Sequence, residues 1–66
     1  MNKELKQHIK FCYKETLSTY RGLFTIEKIK QKAFENIKKH LDYEEKQGRW
    51  YWKIDDKALF TFINNL

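Results

Sequence analysis

Apolar positions along the 66-residue chain recur at helical spacing in two long runs and one short one, with an alternating run between the second and third. The first run sets Leu5, Ile9, Cys12, Thr16, Leu17 and Tyr20 along one side, the spacing of an amphipathic helix. Asn2 can cap it and Glu4 falls in its first turn, where a carboxylate favours the dipole. A helix is therefore predicted over residues 3–20. Gly22 fits the left-handed position just past its end, with Leu23 placed to close back on Leu17. The second run holds Ile26, Ile29, Ala33, Phe34, Ile37 and Leu41, an arc of about 140° at 100° per residue. Thr25 can cap it, Glu27 suits its first turn, and Phe24 and Ile29 occupy the positions of a hydrophobic staple. A short connection around Gly22 predicts that these two helices pack antiparallel.

Beyond Leu41 the helical pattern fades into Asp42, Tyr43, Glu44, Glu45, Lys46 and Gln47, and Gly48 ends it. Arg49 to Ile54 then alternates, with Trp50, Trp52 and Ile54 on one face and Tyr51 and Lys53 on the other, which predicts a strand. Asp55 caps a last helix running through Asn64, with Ala58, Leu59, Phe62, Ile63 and Leu66 on its buried side. A lone strand leaves backbone donors and acceptors unpaired, so the strand needs a partner. Residues 40–43, residues 23–24, or the same strand of a second copy could supply it. The first two give a mainly α domain with one short strand or hairpin, α-α-β-α and winged-helix-like, as a single unit over 1–66. The third gives a homodimer.

The run Gly48-Arg49-Trp50-Tyr51-Trp52-Lys53-Ile54-Asp55-Asp56-Lys57-Ala58-Leu59-Phe60-Thr61-Phe62-Ile63 resembles the closing strand and helix of small excisionase-type winged-helix proteins. Upstream the chain departs from that pattern. No turn separates a first helix from a recognition helix, and the long N-terminal helix is extra, so the resemblance assigns no family.

A chain this short buries about 60% of its unfolded surface and is marginal unless something reinforces it. The lone Cys12 cannot form an internal disulfide, and two histidines plus one thiol fall short of the four ligands of a structural zinc site. No cofactor or metal is expected. Packing must therefore supply the stability, and the 17% aromatic content suits a compact core. No apolar stretch approaches the roughly 18 residues of a membrane span, and Met1 to Lys10 is charged rather than signal-like. The expectation is a cytoplasmic protein with no membrane partner. Abundant Lys, Asn, Ile, Phe and Tyr fit an AT-rich genome such as those of some bacteria and their phages.

The net charge of +5 is unevenly spread: residues 1–39 carry ten Lys/Arg against four acids, and residues 40–66 four against five. An anionic partner, with nucleic acid the commonest, is one explanation; lysines that merely solubilise two helices are the other. Lys3, Lys10, Lys14 and Arg21 fall within about 40° of one another on the first helix, as do Lys28, Lys32 and Lys39 on the second. Such rows can meet phosphates without reading sequence. In a wing-like 46–49 loop the tip residues Lys46, Gln47 and Arg49 would reach the backbone or minor groove of DNA, and Lys53, exposed on the strand, counts among the nucleic-acid-binding residues. Rows on one continuous face with that loop would favour nucleic acid, and rows on opposing sides would favour solvated helices.

The alternative function is a protein-interaction module, a small inhibitor or adaptor docking through Phe11, Trp50, Tyr51 and Phe60. Phe11 and Phe60 project away from the main apolar arcs, and Trp, Tyr and Arg dominate interface hot spots. The simpler reading makes the three rings at 50–52 plain core. His8 and Cys12, four residues apart, share one side of a helix, yet Cys12 lies among apolar neighbours and reads as a small core residue. His40 has no acidic or metal-binding companion nearby in sequence. Asp55 and Asp56 read as a cap and a dipole partner rather than catalytic acids. No phosphate-cradling glycine loop or nucleophile motif occurs, so no enzymatic activity is expected.

Overall fold

The computed structural model describes residues 2–48 and 52–66, so Met1, Arg49, Trp50 and Tyr51 lie outside the described residues. Its helices are α1 (Lys3–Tyr20), α2 (Ile26–Lys46) and α3 (Asp56–Asn64). Each starts where a side-chain oxygen meets an otherwise unpaired amide, as helix N-termini require. The Asn2 side chain accepts from the Glu4 amide at 2.7 Å. Thr25 Oγ1 accepts from Lys28 at 3.2 Å, and Asp55 Oδ2 from Ala58 at 3.4 Å.

α1 ends in a different way from the expected closure. Arg21 is extended (φ −59°, ψ 128°) and Gly22 has φ +84°, while the Leu23 amide donates to the Tyr20 carbonyl at 2.9 Å. These are the features of a type II turn, whose third residue needs positive φ. Leu23 is consequently turned outward, 71% exposed, instead of closing on Leu17. The turn leaves α1 and α2 antiparallel, and α3 packs against both.

Leu5, Ile9 and Tyr13 of α1, Ile29, Ala33, Ile37 and Leu41 of α2, and Leu59 and Ile63 of α3 form the core. Cys12, Leu17, Tyr20, Phe34, Trp52, Ile54 and Phe62 surround it half-buried. Full burial of a Leu or Ile contributes roughly 1.5–3 kcal/mol, so this small set carries most of the stability. Ile26, expected inside, is exposed because it precedes the segment that α1 and α3 cover. Ala58 and Leu66 are exposed too.

The α-α-β-α, winged-helix-like expectation is overturned: the architecture is all-helical, and the described residues contain no strand, only an isolated bridge between Arg21 and Phe24. Both intramolecular partners for a strand are otherwise engaged. Residues 40–43 lie within α2, which runs on to Lys46, and residues 23–24 lie in the turn. Good helix formers at Glu44, Glu45 and Lys46 carry α2 past the end of its apolar face, until Gly48 with φ +94° terminates it. Lys46 is therefore in the last helical turn and Gln47 is its C-cap, not the tip of a wing. Of the expected strand, residues 49–51 lie outside the described residues. The remainder keeps its alternation without a ladder, Trp52 and Ile54 turned toward the core and Lys53 toward solvent. Alternation reports which side chains are buried in extended chain, and a loop folding back over a core satisfies it as well as a sheet does.

Candidate nucleic-acid interface

At about 100° per residue, Lys3, Lys6, Lys10 and Lys14 fall within about 80° of one another on α1, and Arg21 at the C-cap prolongs the line. All five are exposed. Both acids of α1, Glu4 and Glu15, lie at least about 80° around the helix from every cation in that row. No ion pair engages the row among the described residues. Lys10 and Lys14 flank a groove with Tyr13, Leu17 and Leu66, which places the row on the flank of α1 nearest the end of α3. Lys6 is absent from the row drawn from sequence because a 40° window misses it. The wider window that a solvent-exposed lysine can reach includes it.

The α2 row is of another kind. Lys28 and Lys39 sit about 180° around the helix from buried Ile37, so they point away from the bundle. Glu35 and Asp42 fall on or beside the same row, each four residues ahead of a lysine, Lys39 and Lys46, the favourable order for helical ion pairing. Asp42, Glu45 and Lys46 line one surface groove. Lys32 leans over the Tyr20 and Phe24 rings, 5.3 and 4.9 Å from their centroids.

Other cations are held within the protein. Lys38 Nζ pairs with Asp56 Oδ2 at 2.7 Å, Lys30 Nζ donates to the Asn64 carbonyl at 2.8 Å, and Lys53 Nζ lies 3.5 Å from Glu45 Oε1. The hydrogen bond that Lys38 donates to Asp56, with the charge of that carboxylate, raises the Lys38 pKa above its ordinary value. The two rows thus point in different directions, so together they do not form the continuous basic face that would favour nucleic acid; the α2 row, interspersed with Glu35 and Asp42, fits a solvated helix face, and the α1 row is the one clear of acids.

Of the expected aromatic contacts, Phe11 is 61% exposed on the outer side of α1. Phe60 packs edge-to-face on Phe34 with centroids 5.6 Å apart, so the two residues do not share a patch. Trp50, Tyr51 and Arg49 lie outside the described residues.

The fold also assembles a cluster that sequence spacing reveals only in part: His8 and Cys12 are four apart, and His40, expected to have no acidic companion, has Glu44 four residues on. His8 is sandwiched between His40 and Trp52, at 4.8 and 5.0 Å between ring centroids. Cys12 Sγ lies 3.6 Å from His8 Nε2, and His40 Nε2 lies 3.8 Å from Glu44 Oε1. Burial first, then the facing His40, push the His8 pKa below its ordinary value, while Glu44 opposes them. Burial and Glu15 raise the Cys12 thiol above the usual range, which makes it a poorer nucleophile at neutral pH. The two imidazoles are tilted by 32° to each other, and no group of three or more His, Cys, Asp or Glu among the described residues is arranged to hold a metal ion. No helix among them is long and apolar enough to cross a membrane.

Compared with known proteins, the chain matches no family model, no curated protein and no solved structure.

Proposed function

We propose that this is a small non-enzymatic nucleic-acid-binding protein that meets phosphates through Lys3, Lys6, Lys10, Lys14 and Arg21. The observation that carries the reading is the segregation of charge around α1: cations on one flank, Glu4 and Glu15 on the other, and no internal partner for the row among the described residues. Lysines that only solubilise a helix are interspersed with acids at i and i+4, as on α2. A row cleared of acids has no such compensation and favours an extended anion. From Lys3 to Arg21 the row spans about 27 Å at 1.5 Å per residue, long enough to follow several phosphates.

The test is fluorescence anisotropy of labelled duplex and single-stranded DNA at about 50 and 200 mM salt. Three to five phosphate contacts should weaken duplex binding about 40- to 500-fold between those concentrations. Lys10→Glu with Lys14→Glu should abolish the low-salt complex, whereas Lys28→Glu with Lys39→Glu should change affinity less than about threefold, since acids interrupt that row and it points away from the α1 row. Equal damage from the two pairs would mean that net charge, not the α1 row, governs binding. Absence of binding at low salt would remove the proposal.

A protein-interaction reading has one observation in its favour. The Phe34–Phe60 pair floors a groove rimmed by Glu27, Gln31, Glu35 and Asn64, apolar below and acidic at the edge, which suits a basic peptide with an apolar anchor. Phe60→Ala should then release a protein partner that the Lys10/Lys14 variant still binds.

A further inference from the structure

Three large apolar side chains stand in water together at one end of the protein. Leu23, Phe24 and Ile26 are 71%, 42% and 52% exposed; the first two lie in the α1–α2 connection and Ile26 opens α2. The Lys30 ammonium donates to the Asn64 carbonyl, and Glu27, Gln31 and Asn64 line one groove, so the end of α3 lies beside the first turns of α2 and leaves Leu23, Phe24 and Ile26 uncovered. The whole protein is elongated, 37 × 20 × 17 Å, and the connection lies at one end of the α1–α2 hairpin.

Cations ring this tip. Arg21 adjoins it at the end of α1, and Lys28 and Lys32 stand about 3 and 9 Å behind Ile26 along α2. The Lys32 ammonium is held over the Tyr20 and Phe24 rings. The acid in this segment is Glu27.

We infer that this tip docks on an anionic lipid bilayer. Leu23, Phe24 and Ile26 enter the boundary between headgroups and acyl chains, and Arg21, Lys28 and Lys32 meet the lipid phosphates. Interfacial elements of this kind sink about 5–10 Å, and each cation near an anionic surface adds to the attraction. A second copy is a poor occupant, because tip-to-tip contact would bring two rings of cations together. Nucleic acid would satisfy the cations but leave three apolar side chains against phosphates and water. A bilayer accepts both parts at once. The inference uses residues other than the α1 row, apart from Arg21, and stands independently of it. It also departs from the sequence-based expectation of no membrane partner, which rested on the absence of a spanning or signal-like stretch and did not weigh surface docking.

Sedimentation of the full chain with phosphatidylcholine vesicles, with and without phosphatidylglycerol, tests it at low salt. The protein should pellet with the anionic vesicles and stay in solution with the neutral ones. Leu23→Ser with Ile26→Ser should weaken pelleting at least about tenfold while leaving the far-ultraviolet circular dichroism unchanged, because both residues are exposed. Lys10→Glu with Lys14→Glu should still pellet. Wild-type pelleting by the Leu23/Ile26 variant would overturn the inference, since charge alone would then explain binding. Failure of the wild type to pellet with anionic vesicles would overturn it too, and is the result expected if the tip instead fits an acidic protein pocket.

Discussion

Ile37 sits at mid-length of α2, 1% exposed, on the helix that packs against both α1 and α3. Replacing it with Ala removes three carbons from the place where the three helices meet. At about 0.8 kcal/mol per buried methylene the transfer loss is about 2.4 kcal/mol, and an incompletely collapsed cavity brings the total to about 3–4 kcal/mol. A 66-residue domain at 0.05–0.15 kcal/mol per residue has roughly 3–10 kcal/mol in all. The variant should therefore lose at least about a third of its stability, and at the low end of that range it should not fold at 25 °C. Urea denaturation followed by circular dichroism at 222 nm and by Trp fluorescence provides the measurement, with Ile26→Ala as the exposed comparison. Ile26 is half in water, so its truncation should cost under about 1 kcal/mol. If Ile37→Ala cost no more than Ile26→Ala, the core described above would be wrong.

Two further perturbations probe features that no core residue reports on. Gly22→Ala places a side chain at φ +84° with no heavy atom within 4 Å of the new Cβ, so the expected loss of about 1 kcal/mol comes from backbone conformation alone; unchanged denaturation would show that the type II turn readily relaxes. Because folding lowers the His8 pKa, the unfolded chain binds the proton more readily. The His8 contribution is thus present above the unfolded value near 6.5 and is lost as pH falls from there through the folded value. Urea midpoints measured from pH 7.5 down to about 5 should drop accordingly, and His8→Gln should remove His8's share of that drop. An undiminished pH slope in the variant would transfer the effect to other groups.

The helix starts were legible in the sequence because each rests on a local contact: Asn2, Thr25 and Asp55 cap the amides that their positions imply. The core was legible wherever an apolar residue fell in the middle of an arc, as Ile9, Ile37 and Ile63 do. Errors gathered at the edges. Tyr13 is buried although it is absent from the predicted α1 face, and Ile26 is exposed although it lies within the predicted α2 face, because the neighbouring helices determine how far an arc is covered. The cations were legible as rows, but which row keeps its charge unpaired depends on Glu4, Glu15, Glu35 and Asp42 and on what α3 draws in.

By itself the sequence determined three helix N-termini, the positive-φ glycines that break the chain at Gly22 and Gly48, most of the core and the excess of positive charge. These depend on residues within a turn or two of one another, where one hydrogen bond or one side-chain period is sufficient. Tertiary structure decided the rest. It used both intramolecular strand partners elsewhere and turned Trp52 and Ile54 toward the core, and it brought the His8 ring against His40 and Trp52 from three separate parts of the chain. It also left Leu23, Phe24 and Ile26 in water at the tip of a hairpin. Burial and pairing of that kind depend on which surfaces meet across the bundle, and no period along the chain encodes them.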